Sequence, residues 1–183
     1  MSTGPGQPGS ESYGMAPLIR FTLIALYLAL VLPLPLLAPP ELQLALALAV
    51  PLGLLLVWAA TSEQVVLDAA GIRVGHPAWC AWLLRRGWQL EWGAIEALTP
   101  VATSQGGRVF YLRSGERAFL LPQRIARFEA FLARFEQQTG LSTGAIGRIS
   151  PPWTYQLLAG LSGAMLAGEL AWGIWSLSFA TGS

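Results

Sequence analysis

The stretch VVLDAAGIRV, residues 65–74, decides the fold, because here the apolar pattern changes from continuous to alternating. Val65 and Leu67, then Ile72 and Val74, flank Ala69, Ala70 and Gly71, which spells a strand, a tight turn with its glycine, and a second strand. Outward from this point the chain divides into a water-soluble insert, residues 61–140, and long apolar runs on either side of it.

Those runs set the class. Over 183 residues the hydrophobic fraction is 54% and the charged fraction 11%, outside the range of soluble proteins, so an integral membrane protein is expected. Residues 61–150 hold ten arginines against seven acids, a mildly basic balance far short of a nucleic-acid-binding stripe, and no nucleic-acid partner is expected. All eleven cationic residues are arginine. The lone cysteine, Cys80, excludes an intrachain disulfide.

Residues 1–16, rich in Gly, Pro and Ser, read as a disordered tail with little to bury. Residues 17–38 are apolar apart from Arg20 and Thr22 and match the roughly 20 residues a helix needs to cross the hydrocarbon core. Pro33 and Pro35 are expected to kink or end this helix. After a short turn, residues 42–60 are again uncharged, so the segment 17–60 is expected to form a transmembrane hairpin, with Trp58 as an interfacial anchor and Pro51 and Gly53 at mid-span. Residues 141–154 read as a linker, and residues 155–180 as a third transmembrane helix. Ten of the eleven arginines lie between the second and third spans, which puts the N-terminus and the insert on the cytoplasmic side by the positive-inside rule.

Within the insert, alternation resumes at Trp88, Leu90 and Trp92 and continues through Ile95 and Ala97 towards Val101. Residues 108–113 and 117–121 read as two more strands joined by Ser114, Gly115 and Glu116. The period then becomes helical at Ile125, Phe128, Phe131, Leu132 and Phe135, with Gly140 as the stop. Five or more antiparallel strands closed by one C-terminal helix describe a small, partly open β-barrel, and the whole chain an α+β membrane protein.

That order, with the pattern GWQLEWGAIEAL, resembles the bacterial pleckstrin-homology-like domains that sit beside transmembrane hairpins. GIRVGHP, RRGWQLEW, the Gln105-Gly106-Gly107 turn before an aromatic strand, LLPQRIARF, and a last helix introduced by PPW are similar to uncharacterised cyanobacterial thylakoid proteins. A photosystem I assembly factor of cyanobacteria and chloroplasts also pairs a membrane hairpin with a soluble domain of similar strand content, but it lacks the third helix. These resemblances imply a thylakoid setting and work on photosystem biogenesis. On them rest two expectations, a non-enzymatic scaffold or assembly factor bound to a photosynthetic membrane complex, or a permanent accessory subunit of a photosystem; a third, a module for anionic membrane lipid, rests on the edge of Trp82, Arg85 and Arg86.

Few residues suggest chemistry. His76 and Cys80 are four apart, yet a stable metal site wants three or four ligands, so no metal is expected. With one histidine, one cysteine, no phosphate-binding glycine loop and no G-x-S-x-G, the residues for a familiar catalytic centre are missing and an enzyme is not expected. No cofactor is implied, although a bound lipid or pigment stays open. In PAWCAWLLRRGW, Trp79 and Trp82 are followed by Arg85 and Arg86, which suits a segment at the membrane interface with guanidiniums at lipid phosphates; the alternative is that these residues cover the barrel core. With Gln105, Gly106 and Gly107 they make up the candidate partner or lipid site. In the third helix Gly160, Ala164 and Gly168 form a small-residue ridge for close helix packing, either on the chain's own hairpin or on a partner. Glu169 beside it, near mid-span, must be neutral, paired or at a protein interface, with Tyr27 and Gln43 as candidate partners.

Overall fold

The computed structural model describes residues 10–84, 87–104, 107–147 and 152–180. The chain forms two compact units, Met1–Ala16 with Ser62–Ser150, and Pro17–Thr61 with Pro151–Ser183.

The first unit is built on a four-stranded antiparallel sheet in the order β1 (Glu11–Gly14), β2 (Gln64–Leu67), β3 (Gly71–Gly75), β4 (Trp88–Glu91). Val65, Leu67, Ile72 and Val74 all lie on its buried face, as their alternation requires. The β2–β3 turn is closed by Asp68, whose Oδ1 accepts from the backbone N–H groups of Ala70 and Gly71 at 2.9 Å each. A Cβ at Gly71 would stand 2.9 Å from the Glu91 Cα, so glycine lets β3 and β4 approach.

The expected disordered tail of residues 1–16 is corrected over residues 11–14; residues 1–9 lie outside the described residues. Residues 11–14 pair with β2, Glu11 opposite Leu67 and Gly14 opposite Gln64, and Tyr13 is 2% exposed in the core. One large buried side chain offsets the ordering entropy that the flanking Ser and Gly residues cannot. The outer edge of β1 is also covered. Ala16 donates its N–H to the carbonyl of Arg124 and Ala126 to that of Gly14, both at 2.8 Å.

A second, three-stranded sheet follows in the order β5 (Ala97–Ala102), β6 (Arg108–Ser114), β7 (Arg117–Leu120). The chain changes sheets through a 3₁₀ turn, Trp92–Ala94, which the alternation had extended as strand. There the Trp92 indole N–H donates to the carbonyl of Asp68 at 2.9 Å, and the ring packs on Phe135. The expected barrel is corrected as well. Among the described residues no strand ladder joins the two sheets; β4 and β7 meet through the rings of Trp88 and Phe119, 5.3 Å apart, without backbone pairing.

Helix α4 (Phe128–Thr139) closes the core. Phe128, Phe131, Leu132 and Phe135 are buried, and Phe131 meets Tyr13 edge to face at 5.6 Å. Ile125 precedes the helix and bridges to Met15 instead of starting it. Between them Arg127 takes a left-handed conformation, φ 51°, where its guanidinium lies over the Tyr13 ring and donates to the carbonyl of Ser12. Gly140, φ 70°, ends the helix.

The second unit contains α1 (Pro17–Val31), α2 (Leu34–Leu37), α3 (Pro40–Ala60) and α5 (Pro152–Ala180). Helical structure breaks at Leu32 and Pro33, where Pro33 and Pro35 cannot donate. Helix α5 starts at Pro152, inside the segment expected to be linker; proline is well suited to a first helical position because its missing N–H would be unpaired there anyway. Three stretches, residues 17–37, 40–60 and 153–175, are long and apolar enough to cross a membrane. Helix α1 packs against both α3 and α5. The Thr22 hydroxyl lies 3.4 Å from the carbonyl of Tyr155, and the Arg20 guanidinium stacks 4.1 Å over the Trp58 ring.

Candidate membrane and partner interfaces

The strand register places four chain positions together. Gly14 opposes Gln64, Gln64 opposes Gly75, and Val74 opposes Trp88, so the end of β1, the start of β2, the end of β3 and the start of β4 share one end of the sheet. From this end the chain runs into α1 after Ala16 and returns from α3 at Ser62. From the same end springs the β3–β4 connection that carries Trp79 and Trp82.

Residues 77–84 of that connection form a hydrogen-bonded turn. The carbonyl of Pro77 accepts from the N–H groups of Cys80 and Ala81 at 3.0 Å each, and that of Cys80 from Leu83 and Leu84 at 3.1 and 3.2 Å. Cys80 is the root, 1% exposed. Trp79, Trp82 and Leu83 stand outside, 48%, 80% and 47% exposed, so they do not cover the core. Spacings of three and four residues on one helical turn bring them to one side, and Leu83, part of the same sequence segment, joins the two tryptophans there. Arg85 and Arg86 lie outside the described residues.

Two depressions flank the base of this turn. One, of about 320 Å³ on the outer face of the sheet, is lined by Gln64, Arg73, His76 and Gln89, with the Arg73 Nε donating to Gln89 Oε1 at 3.2 Å. The other, of about 400 Å³, lies in the seam between β4 and β7 and is lined by Glu63, His76, Trp88, Tyr111 and Phe119. His76 contributes to both, and its buried Nδ1 has no partner among the described residues. Cys80 is apart from any such role, because its thiol is buried against the Pro77 carbonyl at 3.5 Å. Of the Gln105-Gly106-Gly107 turn only Gly107 is described; its N–H donates to Thr103 Oγ1 at 3.0 Å, a turn contact on a different connection from Trp79 and Trp82.

In the helical unit Ser162 is buried while Gly160, Ala164 and Gly168 are exposed, and a Cβ at either glycine would meet nothing within 4 Å. At 100° per residue Glu169 falls on the side of Ser162, roughly opposite the centre of that ridge, which corrects the expectation that the two adjoin. Its Oε2 is buried without a partner among the described residues. Neither expected partner reaches it. Tyr27 donates to the carbonyl of Val50 at 2.7 Å and Gln43 Nε2 to that of Ala38 at 3.2 Å.

Compared with known proteins, the chain is 40% identical over 170 residues to the uncharacterized protein slr0269 of the cyanobacterium Synechocystis sp., a match covering 89% of this chain and 82% of the relative. The chain belongs to the family of that protein. No family model matches the sequence, and no solved structure matches it. Membership covers both units, since 89% of the chain cannot be accommodated within either alone.

Proposed function

We propose that the protein is a non-enzymatic integral membrane scaffold or assembly factor for a photosynthetic membrane complex, with its two-sheet domain on the cytoplasmic side of a thylakoid membrane. The observation that carries this reading is the open small-residue face of α5. Gly160, Ala164 and Gly168 are left uncovered by the chain's own helices, so another helix can approach to backbone distance there. The order of a four-stranded sheet, a three-stranded sheet and a terminal helix supports a pleckstrin-homology-like domain, a scaffold suited to binding. The cyanobacterial relative and the resemblance to thylakoid proteins support the photosynthetic setting.

The test is affinity purification of the tagged full-length chain from cyanobacterial membranes in mild detergent, with mass spectrometry of what is retained. Subunits of an immature photosystem are expected with the native chain and lost with Gly160→Leu/Gly168→Leu. A stoichiometric mature complex would instead make the protein a permanent subunit, and retention of lipid without any protein would overturn the scaffold reading.

A further inference from the structure

We propose that the turn at residues 77–84 is a wedge that seats in the lipid–water interface of the membrane crossed by α1 and α3. The proposal rests on the membrane-spanning reading of those helices and goes beyond it by assigning a lipid contact to the soluble unit.

Position comes first. The chain passes into α1 and back from α3 at the sheet end that bears this turn, so short connections, residues 15–16 and 61–63, tether that end of the sheet to the apolar helices. Surface chemistry comes second. Trp79, Trp82 and Leu83 present adjoining apolar side chains to the outside, whereas the same turn hides Cys80. An exposed aromatic cluster on a soluble face is an association hazard; at headgroup depth it is an anchor.

A tryptophan entering an apolar medium leaves its indole N–H unpaired unless a partner travels with it. In Trp82 that N–H already donates to the carbonyl of Trp79 at 2.9 Å, inside the same turn. The most exposed ring can therefore leave water with its one polar atom satisfied. The four backbone hydrogen bonds fix the turn and the indole bond holds the Trp82 ring before any contact, so less ordering entropy is lost on insertion. Charge agrees in sign: Arg73 lies exposed at the depression beside the turn, and Arg85 and Arg86 follow it in sequence, which favours an anionic surface.

The experiment uses the full chain in vesicles containing anionic lipid, in a Cys80→Ala background, with a spin label at one cysteine. Trp82→Cys and Leu83→Cys probe the wedge. Ala69→Cys, in the turn at the far end of the sheet, reports water, and Leu44→Cys, within α3, reports lipid. Labels at 82 and 83 are expected to show an oxygen-to-nickel accessibility ratio several-fold above that at 69, approaching that at 44. Equality of 82 and 83 with 69, while 44 reports lipid, overturns the wedge and leaves the spanning helices standing. Water accessibility at 44 overturns the spanning reading and the wedge with it. Labels at 82 and 83 shielded from both reagents would place a protein on the turn and overturn the lipid assignment. Brominated-lipid quenching of the otherwise native chain gives a second readout that leaves Cys80 in place. A quenchable component lost in Trp82→Phe is expected, and an unchanged quenching profile counts against the wedge.

Discussion

Tyr27 fills the space that Gly53 leaves empty: a Cβ built at Gly53 would stand 2.8 Å from the Tyr27 Cζ, closer than real side chains approach. The absent side chain lets the phenol of α1 reach the carbonyl of Val50 in α3, one residue before Pro51 disturbs the helix. A donor from the neighbouring helix thus meets the α3 backbone within a turn of Pro51, whose missing N–H leaves the Ala47 carbonyl, and not that of Val50, without its helical donor. Gly53→Ala is expected to destabilise the α1–α3 pair by about 1–3 kcal/mol through overpacking. In the double variant with Tyr27→Ala much of that loss should disappear, and a thermodynamic cycle of unfolding in micelles would measure the coupling.

Glu169 gives a prediction of opposite sign. Its Oε2 is buried without a partner among the described residues, so Glu169→Leu should leave the isolated chain as stable or more stable, since an apolar group replaces an unsatisfied one. If the carboxyl is retained for a partner, the same variant should lose the retained complex in the affinity purification. A fall in both thermal stability and complex retention would point to packing within the chain.

Tyr13 ties the N-terminal strand to the core, touching Phe131 and lying under Arg127. Tyr13→Ala is expected to cost the two-sheet unit about 3 kcal/mol, as large-to-small core substitutions do. Limited proteolysis should then cut the first 16 residues and the two-sheet unit while sparing the apolar helices.

Acid sensitivity has a local source at the end of α4. Glu136 Oε2 accepts from the Thr143 hydroxyl at 2.6 Å and its N–H at 3.1 Å, and these bonds hold the carboxyl below its ordinary pKa. A depressed folded pKa contributes stability above the unfolded pKa, and the contribution is lost as pH falls through the folded one. Thr143→Val removes the hydroxyl bond, so the Glu136 titration followed by NMR should move up and the acid unfolding midpoint should rise with it.

How much of this was legible follows from which forces wrote it. The apolar helices and the strands of Val65, Leu67, Ile72 and Val74 carry their burial in periodicity, and both were read in place. Strand β1 carries one core residue in four, too few to make a pattern, and its partner is remote in sequence. Trp92 continues the alternation of Trp88 and Leu90 by spacing alone; the acceptor that turns it out of the strand is the Asp68 carbonyl, which no local window contains. The count of strands suggested a partly open barrel, but their division into two sheets rests on pairing between strands remote in sequence, which alternation does not carry. At the candidate interface, residue types were informative about Trp79 and Trp82, while their direction depended on Cys80 taking the inward position.

The pairing of Tyr13 with Val65 also dictates an order of events during synthesis. Strand β1 leaves the ribosome before α1, yet the strand it completes follows α3, so the sheet cannot close until the whole helical excursion between them has come back to the side it left. An excursion that crossed the bilayer once would strand Tyr13 on the wrong side of the membrane from Val65. In a bilayer the sheet can therefore form only where the segment between Gly14 and Gln64 has crossed an even number of times.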